Sequence, residues 1–141
     1  MMKHKALTGA ALASLLSLAL VVPAQAVDKS KVVIQVSDAD PAKWHLALNN
    51  ARNFVKDLGK DNIDLEIVAY GPGIGMLKLE SEVGNRVAET VESGIPVLAC
   101  QNTMRNQKLN KEDMLASIGF VPAGVVEIMR KQQQGYAYLR P

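Results

Sequence analysis

The chain of 141 residues contains one cysteine, few aromatic residues and almost no excess of either charge. A single cysteine cannot form a disulfide within its own chain, so the protein is not a disulfide-stapled domain and depends on a hydrophobic core. Phe, Trp and Tyr together make up 4% of the residues, and the formal net charge is +2. Such a composition offers no basic patch for nucleic acid or for anionic lipid, and we expect the protein to bind neither.

The first 26 residues have the three parts of a secretory signal peptide. A short cationic start (MMKHK) precedes an apolar stretch over residues 6–22, and small residues at Ala24 and Ala26 follow Pro23. A transmembrane anchor is the alternative interpretation, but polar residues interrupt the stretch, which falls short of the roughly 20 apolar residues that a span needs. We therefore expect cleavage after Ala26 and a periplasmic mature protein without membrane attachment.

Removal of the signal also removes the charge excess. Lys3 and Lys5 are the charged residues of that segment, so residues 27–141 keep 14 basic and 14 acidic residues. A chain of this length suffices for one domain with its own core but not for two. The prediction is a single domain over residues 27–141.

Short apolar runs alternate with amphipathic stretches along the mature chain. Strands are predicted at residues 31–36, 63–70, 95–99 and 136–139. Helices are predicted at residues 41–58, from the glycine loop 71–75 to residue 94 with an interruption near residue 84, at residues 110–120 and at residues 125–135. Helices that separate short apolar strands indicate an α/β fold with a mainly parallel sheet covered by helices on both faces.

Candidate functional residues follow the ends of three predicted strands. Ligands of parallel sheets bind in the crevice beyond the carboxyl ends of the strands. Residues 37–40 follow the first strand, the glycine loop 71–75 follows the second, and Cys100 ends the third, with Asn102 and Thr103 next to it. We expect these segments to meet at one edge of the sheet.

Neither the glycine loop nor the acidic residues carry a specific motif. The loop GPGIG is neither a dinucleotide fingerprint nor a phosphate loop, so a plain tight turn is the simpler interpretation, although the turn can still line a crevice. Asp38 and Asp40 lack the further carboxylates or histidines of a metal site, and capping of the first helix accounts for Asp40. No metal and no cofactor is expected.

Cys100 has two interpretations that the sequence leaves open. Free cysteine is among the most buried residue types, which favours a packing role. Its place at the end of a strand favours chemistry, because Asn102 or Thr103 can cap a following turn whose amides stabilise a thiolate, and Arg105 adds positive charge to the same segment. Without a second cysteine, such chemistry is limited to a persulfide, a mixed disulfide with a partner, or sulfenic acid.

Several segments together resemble the DsrE/DsrF-like family, in particular its small exported members. They are "KWHLALNNARNF", "VAYGPGIGML", "GIPVLACQNTMRN", "KEDML" and "VPAGVVEIMRKQQQGYAYLRP". The resemblance spans nearly all of residues 31–141. It implies a three-layer fold around a parallel sheet of about five strands, assembled as a trimer or hexamer.

The resemblance also implies a function, because some members of this family relay sulfur as a cysteine persulfide. Cys100 would then carry the sulfur between donor and acceptor proteins, with Gly71, Gly73, Asn102 and Thr103 stabilising its charge. The alternative is a non-catalytic oligomeric module that binds a small ligand and keeps Cys100 packed in its core. The C-terminal "YAYLRP" is either an interface strand or an ordinary edge strand.

Overall fold

The structure is a computed structural model that describes residues 28–141. The predicted signal peptide over residues 1–26 lies outside the described residues, and its cleavage stays a prediction. Within the described residues, no helix is both long enough and apolar enough to cross a membrane.

A parallel five-stranded sheet forms the centre of the domain. Its strands are β1 (Ser30–Val36), β2 (Ile63–Ala69), β3 (Val97–Cys100), β4 (Gly119–Val121) and β5 (Ala137–Leu139), in the order β4-β3-β2-β1-β5. The helices are α1 (Pro41–Leu58), α2 (Gly84–Glu92), α3 (Gln101–Asn106) and α4 (Gly124–Gln133). All neighbouring strands pair in parallel, which confirms the predicted α/β class.

Helices cover both faces of the sheet and give the predicted three layers. The first face packs against α1 and α2 through a large cluster that includes Trp44, Leu48, Ile34, Ile67 and Val87. The second face packs against α4 through a smaller cluster of Val33, Val68, Val121, Ile128 and Tyr136. Burial of these two clusters is the main force that stabilises the domain.

Local sequence signals account for the bounds of α1. Asp40 accepts a hydrogen bond of 2.9 Å from the backbone N–H of Ala42, and Pro41 occupies the first turn. Gly59 follows the helix with a φ of 86°, which residues with a side chain rarely adopt. Trp44, Leu48 and Ala51, which recur at helical spacing, are buried, but Leu58 in the last turn is exposed.

The glycine loop does not begin an α-helix, so the helix predicted directly after it was wrong. Residues Gly71–Leu77 form a 3-10 helix, and α2 begins at Gly84, where the sequence indicated an interruption. A Cβ on Gly73 would lie 2.2 Å from the carbonyl oxygen of Val36. The loop therefore packs backbone to backbone against the end of β1, and this close contact requires glycine.

The helix predicted over residues 110–120 was also wrong. Asn110 and Asp113 form a capping box, but it closes only a short 3-10 helix, Lys111–Asp113. The residues that follow include β4, in which Phe120 lies opposite Ala99 of β3. Pairing with β3 supplies these residues with backbone hydrogen bonds, and this tertiary effect outweighs their helical pattern.

The last strand lies at an edge of the sheet. β5 pairs with β1 and, among residues 28–141, has no strand on its other side. Tyr138 donates a hydrogen bond of 2.8 Å from its hydroxyl to Oε1 of Gln35, yet its side chain stays largely exposed. Its use as an interface stays a prediction.

Candidate functional site

The ends of β1, β2 and β3 lie along one edge of the sheet. Val36 pairs with Ala69, and Ala69 pairs with Ala99. Cys100 follows directly and pairs with Val121 of β4. The strand register therefore brings the glycine loop and the cysteine to the same edge, as the sequence predicted.

The side chain of Cys100 points to the second face of the sheet, towards α4. Val68 and Leu98 lie opposite each other, and both belong to the hydrophobic cluster of that face. Side chains alternate along a strand, so Cys100, two residues after Leu98, shares its face. The thiol therefore lies beneath the beginning of α4.

α4 begins directly over the sulfur atom. The backbone N–H of Gly124, the first residue of the helix, donates a hydrogen bond of 3.2 Å to Sγ of Cys100. A Cβ on Gly124 would lie 3.1 Å from Cβ of Tyr70, 3.2 Å from Val68 and 3.3 Å from Cβ of Cys100. The missing side chain lets the positive end of the α4 dipole approach a thiolate closely.

Thr103 connects the thiol to the glycine loop. It is buried in the first turn of α3, and Cys100 is the N-cap residue of that helix. The Thr103 hydroxyl accepts a hydrogen bond of 2.9 Å from the backbone N–H of Gly71, and its hydrogen bond to the Cys100 sulfur is one of the causes that lower the pKa of the thiol. The amide of Gly71 thereby polarises the hydroxyl that stabilises the sulfur.

These contacts lower the pKa of the Cys100 thiol. Burial by itself raises the pKa, but the Thr103 hydroxyl, the amide of Gly124 and the nearby backbone amides of Thr103 and Asn102 lower it by more. The net effect is a pKa below the usual value of a cysteine thiol. A larger share of the thiol is therefore present as thiolate, the nucleophilic form, at neutral pH.

The thiol is nevertheless buried. Cys100 is 4% exposed, and α4 covers it from the second face. A stabilised thiolate beneath a helix is ready for nucleophilic attack but has little contact with solvent. Reaction with a bulky partner therefore requires a local opening of the structure around the thiol.

The other predicted site residues make different contacts. Asn102 and Arg105 are exposed on α3, and the guanidinium of Arg105 donates to the side-chain oxygen of Asn102. Arg105 is not among the groups that lower the pKa of Cys100. The amide of Gly73 donates to the carbonyl oxygen of Tyr70, so Gly73 has a packing role here.

Sequence reasoning missed Gly124. The signal for it was the placement of a glycine at the start of an otherwise good helical stretch, "PAGVVEIMRKQ". Glycine is a poor helix former, so its presence in the first turn indicates a close approach of the backbone to another group. Only the strand register identifies that group as Cys100.

No metal centre accompanies the thiol in the part of the chain that the structure describes, since no group of three or more His, Cys, Asp or Glu side chains is placed to hold an ion. A charged pair lies further down the second face, where Lys131 of α4 meets Glu66 of β2.

Comparison with known proteins gives a consistent picture. Residues 30–141 match the model of the DsrE/DsrF-like family. A protein of unknown function from Methanobacterium thermoautotrophicum, MTH1491, is 34% identical, with a TM-score of 0.76 over 80% of this chain and 100% of that chain. No curated protein sequence matches significantly.

Two further solved structures share the fold at lower identity. The ychN protein from E. coli is 15% identical, with a TM-score of 0.64 over 79% of this chain and 99% of that chain. A conserved protein of unknown function from Bacteroides thetaiotaomicron, BT1422, is 18% identical, with a TM-score of 0.61 over 79% of this chain and 95% of that chain. At these identities the likeness concerns the fold alone.

Proposed function

Because the chain belongs to the DsrE/DsrF-like family, we propose that it carries sulfane sulfur as a persulfide on Cys100. The observation that carries this proposal is the pair of donors on the sulfur atom. The Gly124 amide and the Thr103 hydroxyl both stabilise the thiolate, and the pKa of the thiol is lowered. Such stabilisation has no purpose for a cysteine that only fills space.

Loading is a nucleophilic transfer of one sulfur atom. The Cys100 thiolate attacks the terminal sulfur of a donor persulfide, R–S–SH, and forms a new S–S bond. The S–S bond of the donor breaks, and its electron pair leaves with the donor as R–S⁻. The products are Cys100–S–SH and a thiolate, so neither oxidant nor reductant is consumed.

Release uses the same chemistry in the opposite direction. An acceptor thiolate attacks the terminal sulfur of the persulfide, and Cys100 leaves as a thiolate. A thiol of lowered pKa is a better leaving group, so the donors that favour loading also favour release. Donor and acceptor are separate molecules, because this chain has no second cysteine.

We place this activity in the periplasm, on the basis of the sequence. The family match begins at residue 30, so the predicted signal peptide precedes the matched domain. We also propose a homo-oligomer, a trimer or a hexamer. Several large apolar side chains are exposed on the described surface, and Val125, Met129 and Tyr138 among them lie on α4 and β5.

The test is the intact mass of the exported protein before and after exposure to polysulfide. The proposal expects a gain of whole sulfur atoms that dithiothreitol removes and that Cys100→Ser does not show. The mass before exposure also reports whether cleavage occurs after Ala26. A wild-type mass that stays unchanged under native conditions, while the thiol reacts normally after denaturation, would overturn the proposal.

One observation favours a second candidate function. The burial of Cys100, at 4% exposure, fits a non-catalytic oligomeric module in which the cysteine is packed and the protein binds a small ligand. Under this alternative, Cys100→Ser keeps its oligomeric state and wild-type protein accepts no sulfur. Sedimentation analysis of both proteins, combined with the mass measurement, separates the two functions.

A further inference from the structure

The face of α4 that lies on the sheet has one residue in each of three successive turns. Gly124, Ile128 and Lys131 are spaced by four and three residues, which places them along one side of the helix. Gly124 contacts Cys100, and Ile128 packs in the apolar cluster of the second face. Lys131 reaches the buried carboxylate of Glu66 on β2, with Nζ 3.1 Å from Oε2. The helix that covers the thiol is thus also held at its far end by an ion pair.

The carboxylate of Glu66 is incompletely satisfied. Its residue is 5% exposed, and Oε1 is buried without a hydrogen-bond partner among the described residues. Lys131 contacts the other oxygen only. A buried charged oxygen without a partner is unfavourable, because water would bind it strongly. Lifting α4 from the sheet would hydrate both oxygens.

The charged and aromatic groups around this pair do not offset the free-energy cost of burying Oε1 of Glu66 without a hydrogen-bond donor. Lys131 also lies 4.0 Å from Glu127 on its own helix and 4.8 Å from the ring of Tyr136. Asp64 of β2 accepts a hydrogen bond from the Tyr136 hydroxyl, and Lys31 of β1 lies 6.0 Å from the ring of the same tyrosine. These contacts satisfy Lys131, Asp64 and Tyr136 but leave Oε1 of Glu66 without a donor.

The pKa shifts of Glu66 and Lys131 agree with a carboxylate whose burial the lysine compensates only in part. Burial raises the pKa of Glu66, and the hydrogen bond and charge of Lys131 only partly offset it. For Lys131, burial lowers the pKa, but Glu66 and Tyr136 raise it by more, and the net pKa is raised. Lys131 therefore stays charged, whereas the seated helix disfavours the ionised form of Glu66.

We propose that the Glu66–Lys131 pair controls access to Cys100. The ion pair holds α4 on the sheet, but the unpartnered oxygen of Glu66 makes this position of the helix only weakly stable. The pair holds the helix in place, while the unpartnered Oε1 favours a minor state in which α4 lifts and the thiol is exposed. The inference rests on the proposed function for its purpose, since a sulfur carrier needs an accessible thiol. Its test does not depend on sulfur transfer.

The readout is a ratio of two reaction rates of Cys100 at pH 7. A bulky aromatic disulfide, 5,5′-dithiobis(2-nitrobenzoate), reports the state in which α4 is lifted from the sheet. Methyl methanethiosulfonate is small, so it needs less space to reach the thiolate. The same Cys100 thiolate attacks a sulfur atom of either reagent, so the ratio of the two rates cancels changes in the thiol pKa. If the pair had only a structural role, the variants described below would not change this ratio in opposite directions.

The two decisive variants are expected to move the ratio in opposite directions. Lys131→Met leaves the carboxylate buried and unpaired, so α4 lifts more often and the ratio rises several-fold. The double variant Glu66→Met/Lys131→Met replaces the pair with apolar side chains, which is often neutral or stabilising, so α4 stays seated and the ratio falls about tenfold or more. Glu127→Gln is the matched control, because it removes a carboxylate beside the same lysine without touching the sheet, and we expect its ratio to stay within about twofold.

Acidification of the wild-type protein provides a second arm. Protonation of Glu66 makes its burial less costly, so the ratio should fall as the pH falls through the raised pKa of this carboxyl group. The double variant should show no such dependence. If Lys131→Met does not fold, the acidification experiment and the double variant together test whether the ion pair controls access to Cys100.

Three results would overturn the inference. The ratio could rise in both decisive variants, which is what simple destabilisation produces. It could stay constant in the double variant, or Glu127→Gln could match Lys131→Met. Failure of sulfur loading with the expected ratios would reject the proposed function and leave the control of access by the ion pair intact.

Discussion

The backbone amide of Gly124 donates a hydrogen bond of 3.2 Å to the sulfur of Cys100, across 24 residues of sequence. The contact joins the start of α4 to the end of β3, so one helix both stabilises the thiolate and covers it. Reactivity and burial of the thiol therefore have the same structural cause. The following predictions separate the two effects.

Removal of the Thr103 hydroxyl should raise the thiol pKa. Thr103→Val keeps the shape of the side chain but removes the hydrogen bond to the sulfur and the acceptor for the Gly71 amide. Hydrogen bonds to charged groups contribute roughly 1.5–3 kcal/mol, so losing this one should raise the thiol pKa and slow the reaction of the thiol at neutral pH. The pH dependence of the iodoacetamide reaction rate measures it.

Thr103→Ser is the matched control for that experiment. Serine keeps the hydroxyl, so its thiol should titrate within a few tenths of the wild-type pKa. Equal pKa values for the valine variant and the wild type would mean that the hydroxyl does not donate to the sulfur.

A methyl group at position 124 should push α4 away from the thiol. In Gly124→Ala the new Cβ lies 3.1–3.3 Å from Tyr70, Val68 and Cys100, so the helix must shift. Overpacking of this kind typically costs about 1–3 kcal/mol, which urea unfolding detects. The thiol should also react faster with bulky reagents. Arg130→Ala, on the exposed side of the same helix, should change the free energy of unfolding by less than about 0.5 kcal/mol.

Gly73 should tolerate no side chain. A Cβ there would lie 2.2 Å from the Val36 carbonyl oxygen, and both groups belong to the backbone. Gly73→Ala should therefore reduce the free energy of unfolding by about 3 kcal/mol or more. Gly75→Ala meets only the edge of the Trp44 ring, at 3.1 Å, and should cost less. An equal loss in both variants would contradict the importance of the backbone contact.

The lowered thiol pKa should appear in the pH dependence of stability. The folded state favours the thiolate, so below the folded pKa both states are protonated and Cys100 contributes nothing through ionisation. Between the lowered folded pKa and the ordinary unfolded pKa, the unfolded state binds more protons, and stability rises with pH. Above the unfolded pKa the gained stability is retained without further increase, and it is lost again as the pH falls through the folded pKa.

Urea unfolding of wild type and Cys100→Ser across this range provides the measurement. The difference in free energy of unfolding between them should grow as the pH increases through the interval between the two pKa values. A difference that does not change with pH would show that burial cancels the hydrogen bonds to the thiolate.

Local patterns predicted the elements whose ends are set by neighbouring residues. Asp40, Pro41 and Gly59 define α1 through capping and turn conformation, and the apolar runs define β1, β2 and β3. The helix predicted over residues 110–120 failed, because pairing with β3 draws residues 119–121 into the sheet. A capping box indicates where a helix begins and not how far it continues.

The sequence by itself determined the α/β class, the parallel sheet and the presence of Cys100 at its carboxyl edge, because periodicity and capping act over a few residues. Only the tertiary structure decided that the thiol faces α4, that Gly124 and Thr103 donate to it, and that Glu66 is buried against Lys131. In the sequence, Glu66 is a polar residue between the apolar Leu65 and Ile67, a pattern typical of an exposed position in a strand. Its burial follows from the packing of α4 on the second face, and such contacts join residues far apart in the chain that only the strand register brings together.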